Sequence, residues 1–71
     1  MVNVKKLKAK LVESGMNIDD LSKFTGLTKT KIYRRFKHPT EFTIEEADKM
    51  VNVLDLNQSE AISIFFTQYV S

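Results

Sequence analysis

From position 28 to 38 the chain reads Thr28, Lys29, Thr30, Lys31, Ile32, Tyr33, Arg34, Arg35, Phe36, Lys37, His38. On a helix, the apolar pair Ile32 and Phe36 falls one turn apart and turns inward. Left outside are Lys29, Thr30, Tyr33, Arg34 and Lys37, hydrogen-bonding and cationic groups of a kind suited to phosphates and base edges. Binding of an anionic polymer is therefore the first chemistry to consider. Catalysis finds little support. Glu13, Asp19 and Asp20 are separated and have no nucleophile or metal cluster beside them, and His38, the one histidine, has no partner set. The chain is read as no enzyme, with no cofactor and no metal.

Presenting that face requires a helix that starts and stops at set places. Thr28 can accept from the free N–H groups of such a helix, and a residue before proline avoids the α region, so His38–Pro39 ends it. Upstream, Asn17 can cap a helix over Ile18–Thr25, with Asp19 and Asp20 in its first turn where the helix dipole favours anions. Between the two lies Gly26, at a corner that needs a positive φ or a missing Cβ. The result is two short helices joined by a tight turn, over about 17–37.

The remaining elements follow from caps and periodicity. A first helix is predicted over about Asn3–Ser14, with Val4, Leu7 and Leu11 on one face and Gly15 ending it. Thr43 to Glu46 reads as a capping box and opens a helix with Ile44, Ala47, Val51 and Leu54 on one stripe and Met50 beside it. Asn57 caps a last helix, about 58–70. Phe24 and Phe42 read as core or mini-core residues rather than platforms for stacking bases. No segment carries a β period, so the fold class is all-α: one domain, residues 1–71, of about five short helices.

At this point the residues resemble the Cro/CI-type (XRE-like) helix-turn-helix regulators of phages and mobile elements, over roughly Val4–Leu56. The resemblance rests on Leu21, Ser22, Thr25, Gly26, Leu27, Thr28 and Ile32 at fixed offsets, then a basic loop and an amphipathic helix running into Val53, Leu54, Asp55, Leu56 and Asn57. It implies a lambda-repressor-like bundle in which Ser22 sits at the helix crossing while Leu27 and Ile32 anchor turn and recognition helix. It also implies that Thr28 meets a phosphate and that Lys29, Thr30, Tyr33 and Arg34 enter the major groove, Arg34 as the bidentate partner of guanine. Lys31, Lys37 and His38 would contact the DNA backbone. Two positions depart from the family: Ile18 stands where a phosphate-binding Gln is frequent, and Arg35 where an apolar residue is usual.

Charge is divided along the chain. Residues 1–38 carry ten Lys/Arg against three acids, or +7, and residues 39–71 one Lys against six acids, or −5, within a net +2. The first half would face a polyanion and the second repel it. There is no cysteine, no apolar run of the ~20 residues that span a bilayer, and no apolar stretch after the basic start. A cytoplasmic protein is expected.

The last helix is over-supplied with apolar residues: Ile62, Ile64, Phe65, Phe66, Tyr69 and Val70 spread over roughly 240° of its circumference. They are predicted as an interface, in a homodimer first or with a partner regulator second, with unusually deep burial in the monomer as the remaining alternative. Double-stranded operator DNA is the expected ligand and repression by occupancy the expected action. The alternative is a protein-binding modulator, an antirepressor or co-repressor, that docks on another regulator. A third reading is binding of RNA or DNA by charge alone.

Overall fold

The computed structural model describes residues 2–67. Five α-helices follow one another there: α1 Val4–Glu13, α2 Ile18–Thr25, α3 Lys29–Lys37, α4 Ile44–Val53 and α5 Gln58–Phe65, with a 3-10 turn Pro39–Glu41 between α3 and α4. Among the described residues there is no strand, and the chain is a small all-α bundle.

Each helix begins where a side chain satisfies its first free N–H groups. Asn3, Asn17, Thr28, Thr43 and Asn57 each accept from the backbone N–H three residues on. Asp20, Glu46 and Glu60 return the bond to the cap's own N–H, completing three capping boxes. Short helices are marginal alone, so packing does the rest. Leu7 and Leu11 of α1, Leu21 of α2, Ile32 of α3, Ala47 and Met50 of α4, and Ile64 and Phe65 of α5 bury together with Leu27, Leu54 and Leu56 from the connections.

Two expectations about the core are corrected. Ile44 is 75% exposed. The buried arc of α4 centres on Met50, and Ile44 lies about 120° from it around the helix, whereas Glu46 lies only about 40° away. Glu46 is drawn inward by an ion pair with Arg35, which rotates Ile44 out. Phe24 is likewise exposed, at 59%. Thr25 takes the inward place beside Leu21, because its hydroxyl donates to the Leu21 carbonyl. The Lys23 ammonium lies over the Phe24 ring instead.

For α5, burial within the chain itself takes part of the surface first expected at an interface. The helix ends at Phe65, and Phe66 leaves it with φ −129° and ψ 50°. Ile64 and Phe65 belong to the chain's own core, Phe65 meeting Phe42 edge-on at 5.7 Å. They are not free interface residues. Ile62 and Phe66 are half-buried, and Tyr69 and Val70 lie outside the described residues. α5 is fastened to the start of the chain by the Asn3 N–H donating to the Ile64 carbonyl at 2.7 Å, by the Lys6 ammonium on the Ser63 hydroxyl and by the Lys10–Glu60 ion pair.

Candidate nucleic-acid interface

Orientation of α3 is set by the turn before it. Gly26 has φ +77°, and its N–H donates to the Ser22 carbonyl at 2.9 Å. The Ser22 hydroxyl donates to the Leu27 carbonyl. Thr25 Oγ1 accepts from the Leu27 N–H at 3.2 Å. With these bonds closed, Leu27 drops into the core and Thr28 is left extended, its Oγ1 accepting from the Lys31 N–H at 3.1 Å. Ile32, with no solvent exposure, then anchors the helix.

Thr28, Lys29, Thr30, Lys31, Tyr33, Arg34, Lys37 and His38 are all exposed. The structure thus gathers every nominated residue on the outside of α3 and at its two ends. Phe36 is only half-buried, so its inward turn is partial.

Several of these cations already have partners within the chain. Lys29 pairs with Asp19 at 3.0 Å. Arg34 Nε donates to Glu41 Oε1 at 2.9 Å. Lys31 stands 3.9 Å from Glu46. Lys37 carries no ion pair among the described residues. The strongest contact lies beneath this face: Arg35 grips Glu46 with two hydrogen bonds, Nε to Oε1 at 2.8 Å and Nη2 to Oε2 at 3.2 Å. Their side chains are 14% and 8% exposed. The Arg35 hydrogen bonds hold the Glu46 carboxyl below its ordinary 4.5, against the opposing effect of burial. The hydrogen bond from Arg34 lowers Glu41 in the same way.

Arg35, Glu41 and Glu46 were not among the nominated site residues. The capping-box pattern gave Glu46 a role at its own helix start but not across the helix pair. One signal was present: a guanidinium beside the inward position of α3 requires a facing acid, and α4 offers Glu46.

Beside α3 runs an open groove of about 630 Å³, lined by Leu11, Val12, Met16, Ile18, Tyr33 and Phe36, with Lys8 and Lys37 along it. The Lys8 ammonium lies 6.0 Å from the centre of the Phe36 ring. Among the described residues no group of His, Cys and carboxylates is arranged to hold a metal. No helix is long and apolar enough to cross a membrane. Comparison with protein families, with curated proteins and with solved structures gives no match for this chain.

Proposed function

We propose that this protein binds duplex DNA through the outer face of α3 and acts as a small transcriptional regulator of the Cro/CI kind. One observation carries the reading: Lys29, Thr30, Tyr33, Arg34 and Lys37 all stand exposed on one helix, while Ile32 and the Gly26 turn hold that helix from behind. The first N–H groups of α3 and the Thr28 hydroxyl are placed for a phosphate. Arg34 presents a planar fork to a guanine edge, and Lys31, Lys37 and His38 supply salt-sensitive backbone contacts. The partner acids are no obstacle: the Lys29–Asp19 pair is exposed to water on both sides and exchanges readily, and Glu41 engages only the Nε of Arg34. Two copies on neighbouring half-sites would turn a single-module contact into a useful affinity.

Fluorescence anisotropy with duplexes from the gene's own upstream region tests the proposal. Binding should be tight and salt-sensitive. Arg34→Ala should weaken it about tenfold or more, the scale of one lost bidentate base contact. Binding that ignores α3 substitutions would sink the reading.

The groove between α1 and α3 favours a second reading, the protein-binding modulator. Its apolar floor and two lysines fit an amphipathic helix with carboxylates on its flanks. Val12, 79% exposed there, separates the two. Under the DNA reading, the uncharged substitution Val12→Gln leaves DNA affinity unchanged. Under the modulator reading it abolishes the regulatory effect in cells, while Arg34→Ala leaves that effect intact.

A further inference from the structure

Four charged side chains alternate in sign from the core of the bundle to the face of α3. Glu46 Oε1 accepts from the Thr43 N–H at 3.0 Å and from Arg35 Nε. Arg35 Nη1 reaches Glu41 Oε1 at 3.3 Å. The same oxygen accepts from Arg34 Nε. Side-chain exposure climbs along the series, 8% at Glu46, 14% at Arg35, 39% at Glu41 and 64% at Arg34. The inner end is therefore fixed by the capping box of α4, and only the outer guanidinium is free to meet a ligand.

We infer that Glu41 is a specificity-determining positioning residue, holding the Arg34 guanidinium for end-on contact with guanine. The inference rests on the DNA-binding reading and adds to it. Arg offers five N–H donors in a flat fork. Glu41 occupies Nε alone, so Nη1 and Nη2 keep the donor pair that matches guanine O6 and N7. A side-on approach, which needs Nε, is closed while Glu41 holds it. An arginine on a long stem would otherwise sample many rotamers and contact phosphates as readily as bases. Restraint of this kind, applied before binding, raises discrimination between bases more than it raises total affinity. The negative charge of Glu41 acts the opposite way on total affinity, since it faces a polyanion.

The test is selection from a pool of random duplexes by the wild type and by Glu41→Gln, each with a melting curve. Competition follows, comparing the selected duplex with versions changed at single guanines and with bulk random duplex. Glu41→Gln is expected to bind bulk duplex at least as tightly as the wild type. Its discrimination at one guanine should fall several-fold, with only a small fall in melting temperature, since the Glu41 ion pairs are exposed. Placed on Arg34→Ala, the same substitution should have no further effect on discrimination, because Glu41 acts through Arg34. Unchanged discrimination in Glu41→Gln overturns the inference while the DNA reading stands. So does a proportional loss for every duplex accompanied by a large fall in melting temperature, which would make Glu41 merely structural. A wild type that enriches no sequence removes the DNA reading, and the inference with it.

Discussion

Arg35 and Glu46 tie α3 to α4 and fix how the outer face of α3 is tilted. Because the Glu46 carboxyl titrates below its ordinary 4.5 in the folded chain, the stability it contributes is fully present above the unfolded value. It is lost as pH falls through the lower, folded value. Glu41 and Glu60 are shifted the same way, so the comparison must be made by difference. Glu46→Gln is expected to melt at a lower temperature than the wild type at neutral pH, since the largely buried Arg35 loses its two-bond charge partner and keeps only the exposed Glu41. The gap should start to narrow near the unfolded value of 4.5 and close as pH falls through the lower, folded value. Melting curves by circular dichroism across pH check this, and a constant gap would show that the charge of Glu46 adds nothing to stability. Why the pair escaped the sequence reading is physical. Local periodicity gives inward and outward faces to one helix at a time, whereas an ion pair between α3 and α4 depends on how the two are rotated against each other. Phe24 was misplaced for a related reason: the Thr25 hydroxyl satisfies itself within its own helix and so competes for the buried place.

Helix boundaries were legible because each is written in a few adjacent residues. Asn17, Gly26, Thr28 and Pro39 delimit α2 and α3 at the predicted ends, and Thr43 and Asn57 open α4 and α5 as expected. The end of α5 carries no such signal: no glycine or proline follows Phe65, yet Phe66 leaves the helix with φ −129° and ψ 50°. Its excess apolar surface suggested an interface, yet Ile64 and Phe65 complete the chain's own core through Phe42 and Leu7. A measurable difference follows. Phe65→Leu should lower unfolding free energy by about 1–2 kcal/mol, as a large-to-small core change that also loses the edge contact with Phe42, and the loss should not vary with protein concentration. Urea denaturation at two concentrations a hundredfold apart measures it. A loss that grows on dilution would place Phe65 between copies after all.

Charge acts on the scale of the whole molecule. The basic first half and acidic second half coexist in a body of 33 × 23 × 19 Å. At about 0.1 M salt the screening length is ~10 Å, a third of the long dimension; at about 0.01 M it is ~30 Å, the full length. Under the proposed DNA docking, acids away from α3 therefore oppose approach only in dilute salt. Asp48 and Asp55 are exposed and form no ion pair among the described residues. Asp55 sits at φ +51°, a conformation Asn tolerates well. Replacing both by Asn moves the net charge from +2 to +4 without touching core, caps or α3. Association with DNA at about 10 mM salt should quicken several-fold, and the gain should vanish near 150 mM, while dissociation stays unchanged at both. Stopped-flow anisotropy separates the two rates. An advantage that survives at the higher salt would mean that Asp48 or Asp55 lies within a screening length of the bound phosphates. The duplex would then have to sit across α4 rather than along α3.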